Sequence, residues 1–232
     1  MITNGKQTET TEMRKVIGAA FVSLDGVMQA PGGPTEDPTG GFEFGGWMAA
    51  LGDEGIGQTI MGLFGQPFDL LLGRRTYDIF AAYWPYADKN NPITQAFDAC
   101  GKYVFTHSDA PLAWKGSHRL AGLDALAEVK RGDGPDLVIQ GSSTLYPQLL
   151  AAGLIDRMTT MTFPVILGRG KRLFGEGSPA RTLRMTDHRV TSGGTVVAVY
   201  EPAGKVEVGT FAGPGVSEAE KARQARMAAG TW

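Results

Sequence analysis

The chain has 232 residues, 42% of them hydrophobic, enough for one domain with a sizeable buried core. Lys and Arg total 22 against 24 Asp and Glu, a net charge of -2, so no global positive field exists to attract nucleic acid or anionic lipid, and any anion site must be local. A single cysteine, Cys100, excludes an intrachain disulfide and a cysteine-built zinc site; the three histidines, His107, His118 and His188, lack ligand spacing, so no metal is expected.

No apolar run approaches the roughly 20 residues needed to cross a bilayer, so no membrane partner is expected. Residues 1–12 are polar, without the apolar core of a signal peptide, and read as a disordered segment before a cytoplasmic domain spanning 13–202. Within that domain the first strand runs from Lys15 to Leu24, apolar and partly β-branched, and stops at the turn signal Asp25-Gly26. The following PGGPTEDPTGGFEFGG, residues 31–46, holds too much Gly and Pro for regular structure yet contains Phe42 and Phe44 and leads into Trp47. Such a loop reads either as a lid over a site or as a flexible surface insertion. Trp47 is alternatively a core residue.

From Asp53 to Phe64, Ile56, Ile60 and Leu63 recur at helical spacing despite three glycines. A short strand at Asp69–Leu72 runs into Gly73-Arg74-Arg75-Thr76 and a helix through Tyr77, Phe80 and Ala81 that Pro85 ends. Lys102–Thr106 reads as a strand, Leu123–Arg131 as a helix stopped by Gly132, and Asp136–Gln140 as a strand. Gly141-Ser142-Ser143-Thr144 then opens a helix that ends near Gly153, with Pro147 tolerated in its first turn. Ile155–Phe163 is a further strand, and Leu183–Val190 with Thr195–Glu201 forms a closing hairpin around Ser192-Gly193-Gly194. Alternating strands and helices imply a three-layer α/β domain, its sheet mostly parallel with an antiparallel C-terminal hairpin. Residues 203–232 read as an extension in which Ser217 and Glu220 form a capping box before a short helix with few apolar anchors.

Two strand-to-helix junctions carry the chemistry. Helix N-termini expose unpaired N–H groups and partial positive charge, which bind phosphate. At Gly73-Arg74-Arg75-Thr76 the glycine permits close backbone approach and the arginines supply paired donors, while Gly141-Ser142-Ser143-Thr144 offers hydroxyls and N–H groups. A third strand end, Thr106-His107-Ser108, adds to the set, although His107 also fits a solvent-facing loop residue. Neither a GxGxxG nor a GxxxxGK[ST] signature is present, so an ordinary Rossmann domain and a P-loop are not supported. Cys100 reads as a buried small residue, without a partnered base.

In order along the chain, GAAFVSLDGVM at 18–28, LLLGRRTYDIF at 70–80, YVFTHS at 103–108 and VIQGSSTLYPQLL at 138–150 resemble the cofactor and substrate segments of dihydrofolate reductases. With FPVILGRGKRLF at 163–174, the sequence is more similar still to the C-terminal reductase domain of riboflavin-biosynthesis deaminase-reductases and its small stand-alone relatives, over about residues 13–201. The resemblance implies a dihydrofolate-reductase-like fold and NADPH-dependent hydride transfer to a small heterocyclic substrate, as in 5-amino-6-(5-phosphoribosylamino)uracil reductase. It places phosphates at Gly73, Arg74, Arg75 and Thr76, the adenosine 2′-phosphate at Thr106, His107 and Ser108, and the diphosphate at Gly141, Ser142, Ser143, Thr144 and Leu145. Ala20 then lines the nicotinamide site, with Ser23 and Asp25 beside it. Phe42, Phe44 and Trp47 of the loop are candidate substrate contacts, and a homodimer is implied.

Two departures bear on the substrate. Dihydrofolate reductases join two glycines by a cis peptide where this chain has Gly141-Ser142, and they carry a ring-anchoring carboxylate at a spacing that Asp53 and Glu54 do not match. Asp25, Asp53 and Glu54 are the candidates to orient the substrate or relay a proton, the latter two being equally suited to complementing a helix dipole. The alternatives are a dihydrofolate or pterin reductase and a non-catalytic NADPH-binding protein.

Overall fold

The computed structural model describes residues 13–211 and 215–231; the expected disorder of residues 1–12 lies outside them. Among the described residues the strands are β1 (Val16–Ser23), β2 (Phe68–Gly73), β3 (Lys102–Phe105), β4 (Ser117–Leu120), β5 (Asp136–Gln140), β6 (Arg157–Phe163), β7 (Leu183–Val190) and β8 (Val196–Pro202). The helices are α1 (Glu54–Phe64), α2 (Arg74–Tyr83), α3 (Pro92–Ala99), α4 (Leu123–Arg131), α5 (Leu145–Ala151) and α6 (Glu218–Ala228). The strands form one sheet in the order β4-β3-β2-β5-β1-β6-β8-β7. From β4 to β6 all pairings are parallel, and the β7–β8 hairpin joins β6 in antiparallel sense.

Period-two alternation sorts the strand residues between two layers of helix. Val16, Ala20, Leu71, Leu137 and Ile139 pack with Leu126 of α4 and Leu145 and Leu149 of α5. Their neighbours Ala19, Leu70, Leu72, Val104 and Val138 pack on the opposite side with Phe64 of α1, Tyr77 of α2 and Phe97 of α3. Strands buried on both faces carry near-continuous apolar runs, which is why β1, β2 and β5 are legible as short hydrophobic segments.

Strands β2 and β5 are neighbours, yet β2 continues into α2 on one face of the sheet and β5 into α5 on the other. Their carboxyl ends therefore flank a crevice where connections diverge, the place where open α/β sheets bind ligands. The amino ends are closed differently. Buried Arg14 pairs with Asp69 at 2.5 Å, donates to the Pro135 carbonyl at 2.6 Å and reaches the Tyr103 hydroxyl at 3.3 Å.

Two elements were not expected from sequence. Helix α3 starts at Pro92, with Asn91 capping the Ile93 N–H, and β4 is the short, largely polar SHRL at the sheet edge. In the C-terminal extension Ser217 accepts from the Glu220 N–H as the capping pattern requires, and α6 contains no buried residue. No described helix is long and apolar enough to cross a membrane.

Candidate active site

A cleft of about 410 Å³ opens at the carboxyl ends of β3, β2, β5 and β1. Its floor at β1 is Ala19 and Ala20, whose small side chains leave room above the strand. On one side lie Gly73, Arg74, Arg75 and Thr76, with Thr106 and His107 beyond them and Gly141, Ser142, Ser143, Thr144 and Leu145 opposite.

The two strand-to-helix junctions are bolted together. The Gly73 N–H donates to Ser142 Oγ at 2.6 Å, and that hydroxyl donates to Thr76 Oγ1 at 2.9 Å. Contact this close leaves little room for a side chain on either glycine. A Cβ on Gly73 would sit 3.0 Å from Ser142 Oγ, and one on Gly141 would sit 2.9 Å from Thr76 Cγ2. Gly141 and Ser142 both adopt left-handed backbone, at φ 78° and 62°, and the peptide bonds of the described residues are all trans. A non-glycine residue in that region is uncommon and marks a site the surroundings enforce.

The electrostatics favour an anion at this end. Helix α2 begins without a side-chain cap and without an acidic residue in its first turn, so its N–H groups face the cleft mouth unneutralised. Arg74 is held by Asp78 at 2.8 Å and by the Ala110 carbonyl at 3.2 Å. Arg75 and His107 are exposed and make no hydrogen bond or ion pair among the described residues.

Beyond β1 the cleft is walled by Met28, Gln29, Ala30, Pro31, Glu36, Asp37 and Lys171. Gln29 organises this end, donating to the Asp37 and Thr39 carbonyls, each at 2.9 Å, and accepting from the Lys171 N–H at 3.0 Å. The Lys171 ammonium pairs with Asp37 and donates to Thr39 Oγ1 at 2.8 Å. Burial pushes the Asp37 carboxyl up, but hydrogen bonds from Lys171 and Thr39 outweigh it and hold the group below its ordinary value. Burial also raises Glu36, only partly offset by the N–H groups of Gly32 and Gly33, which donate to its Oε2 at 2.7 and 3.2 Å.

The remaining expected residues do not line the cleft. Ser23, buried, donates to Asp25 at 2.6 Å and accepts from the Val27 N–H. Asp25 also accepts from the N–H groups of Leu167 and Gly168, so the pair clasps the loop after β6 to the loop after β1. The Ser23 hydrogen bond, with those N–H groups, lowers the Asp25 carboxyl below its ordinary value. Asp53 caps α1 through the Ile56 N–H at 2.9 Å and accepts from Gly193 N–H at 2.6 Å and Ser192 Oγ at 3.2 Å. Hydrogen bonds from Thr191, Ile56 and Gly193 bring it down to about 2. Glu54 is exposed and accepts from Gln58. Both carboxylates therefore serve the helix start, one of the two expected readings.

Trp47 and Phe42 are buried in a third apolar cluster with Phe21, Ile56, Met161 and Phe163, Trp47 lying edge-on to Phe163 at 5.4 Å and donating its indole N–H to the Gln29 carbonyl. Phe44 is exposed and stacks edge-on against Phe42. The loop of residues 31–46 thus borders the cleft with Glu36 and Asp37, and its aromatics do not line it. Ser108 lies just past the cleft rim, its N–H held by Thr106 Oγ1. Cys100 is buried, and desolvation pushes its thiol up to about 11, which fits a packing role.

Comparison with known proteins agrees with this architecture. The chain is 25% identical over 197 residues to the uncharacterised protein YyaP of Bacillus subtilis, covering 83% of this chain and 97% of that protein. A diaminohydroxyphosphoribosylaminopyrimidine deaminase/5-amino-6-(5-phosphoribosylamino)uracil reductase from Thermotoga maritima superposes with a TM-score of 0.55 at 12% identity, covering 84% of this chain and 58% of the enzyme. Dihydrofolate reductase from Enterococcus faecalis, solved with NADP(H), superposes with a TM-score of 0.50 at 15% identity, covering 81% and 96%. These structural likenesses carry the dihydrofolate-reductase-like fold. Residues 14–199 match the model of the RibD C-terminal domain, and the chain belongs to that family.

Proposed function

We propose that the protein is an NADPH-dependent reductase that transfers a hydride to a small heterocyclic substrate. The observation that supports this best is the cleft at the β2–β5 divergence, where two glycine-bearing junctions are bolted side by side under unpaired Arg75 and His107. Family membership and the NADP(H) complex of a structural relative point the same way.

The residues present fit a dinucleotide. The absence of Cβ atoms at Gly73 and Gly141 leaves backbone open to approach by a diphosphate, and the α2 start supplies uncapped N–H donors. Arg74, Arg75 and Thr76 are the proposed phosphate contacts on β2–α2, Ser142, Ser143, Thr144 and Leu145 those on β5–α5, and Thr106, His107 and Ser108 those near the 2′-phosphate. Ala20 is the proposed neighbour of the nicotinamide ring. NADPH when bound supplies the hydride; the protein's residues position the substrate, exclude water and manage a proton.

The test is titration of both nicotinamide cofactors into the purified protein. Two charge-assisted bonds to the 2′-phosphate, each worth roughly 1.5–3 kcal/mol, predict that NADPH binds at least about tenfold more tightly than NADH. Equal dissociation constants would remove Arg75 and His107 from cofactor recognition.

A further inference from the structure

The end of the cleft beyond β1 has a charge arrangement that bears on the substrate. The one cation lining it among the described residues, Lys171, is matched by Asp37 and held to Thr39, so its charge is already neutralised by the protein. Arg169 and Arg172 lie on the same loop, but they pair with Glu43 and Asp25 and do not line the cleft. Among the described residues Glu36 has no cationic partner, and its Oε1 makes no hydrogen bond. Lys171 and Asp37 therefore cancel and Glu36 adds no positive charge, while Arg74, Arg75 and His107 stand across the floor at the other end.

We propose that this end takes an unphosphorylated nitrogen heterocycle, neutral or basic, whose ring N–H groups are held by Glu36. A phosphate dianion placed here would find the lining ammonium already paired and would have to displace Asp37 from Lys171. A ring N–H edge instead completes the free oxygen of Glu36, and with a basic ring the bond is charge-assisted. Substrates that carry a phosphoribosyl arm are accordingly excluded from this end, a departure from the resemblance to the 5-amino-6-(5-phosphoribosylamino)uracil reductases. The inference deepens the reductase reading and rests on it only for which end the cofactor fills.

Calorimetric titration of the NADPH-saturated protein with 2,4-diaminopyrimidine and with ribose 5-phosphate tests it. The diaminopyrimidine is expected to bind, and Glu36→Gln, which keeps an acceptor for the Gly32 and Gly33 N–H groups, is expected to weaken it at least tenfold. Ribose 5-phosphate is expected to show no saturable binding to the wild type and to gain it in Asp37→Asn, where Lys171 loses its carboxylate. Saturable phosphate binding to the wild-type complex, an unchanged diaminopyrimidine affinity in Glu36→Gln, or no gain in Asp37→Asn each overturns the proposal. Should NADPH itself fail to bind, the reductase reading falls, and the same probes on the free protein remain decisive. Phosphate binding abolished by Lys171→Met then contradicts the proposal, and diaminopyrimidine binding dependent on Glu36 upholds it.

Discussion

Ser142 shows how one side chain links the fold to the site. Its hydroxyl is the acceptor for the Gly73 N–H and the donor to Thr76, so the β2 and β5 junctions share a single atom. Ser142→Ala strands the Gly73 N–H and is expected to lower stability by about 1–3 kcal/mol in urea unfolding, and to weaken NADPH binding as the junctions separate. Gly141→Ala meets both a left-handed backbone, costing roughly 1–2 kcal/mol, and the Thr76 methyl, so a loss of at least that size is expected. Asp53 has a different task. Its carboxyl lies near 2 when folded against an ordinary 3.8, so its stabilisation is complete above 3.8 and is lost as the pH falls toward 2. Asp53→Ala should lower the melting temperature at neutral pH, flatten the acid limb of the stability profile and leave NADPH affinity unchanged.

At the scale of elements, the loop of residues 31–46 is the part of the site that sequence described least well. Its glycines, prolines and aromatics read as a lid over a site or a surface insertion, and Glu36 and Asp37 do line the cleft. Phe42 and Trp47 instead complete the core beneath it against Phe163 and Met161 of β6, for Trp47 the alternative reading and for Phe42 a placement that one-dimensional reading does not reach. Phe42→Ala should therefore cost about 3–5 kcal/mol in denaturant unfolding, a core truncation, while Phe44→Ala at the exposed position should stay within about 0.5 kcal/mol. Equal costs for the two would contradict this assignment. The glycine junctions were legible because strand, glycine and helix are contiguous in sequence. The Gln29–Asp37–Lys171 set was not, since Lys171 is separated from Asp37 by more than half the chain and meets it only through the pairing of the loops after β1 and β6. Helix α3 carried a readable signal in Asn91-Pro92, a cap followed by proline at the first helical position, whereas β4 carried almost none, being four residues with a polar middle.

Across the whole molecule the two ends of the sheet divide the work. The amino ends are fastened by Arg14, whose guanidinium joins Asp69, Pro135 and Tyr103 from three segments, and the carboxyl ends are left open around the cleft. Arg14→Leu leaves the Asp69 carboxylate without its buried partner and is expected to cost about 3–5 kcal/mol of stability with little change in cofactor affinity. Arg75→Ala, at an exposed and unpaired position, is expected to do the reverse. The cleft between the β2 and β5 junctions as the cofactor site is the claim on which the rest depends, and a crystal structure of the protein soaked with NADPH tests it most directly. The account predicts the diphosphate against the Gly73–Thr76 and Gly141–Leu145 junctions, the 2′-phosphate within reach of Arg75 or His107, and the nicotinamide ring beside Ala20. NADPH bound outside this cleft, or a soaked crystal whose cleft stays empty at saturating cofactor, would contradict it.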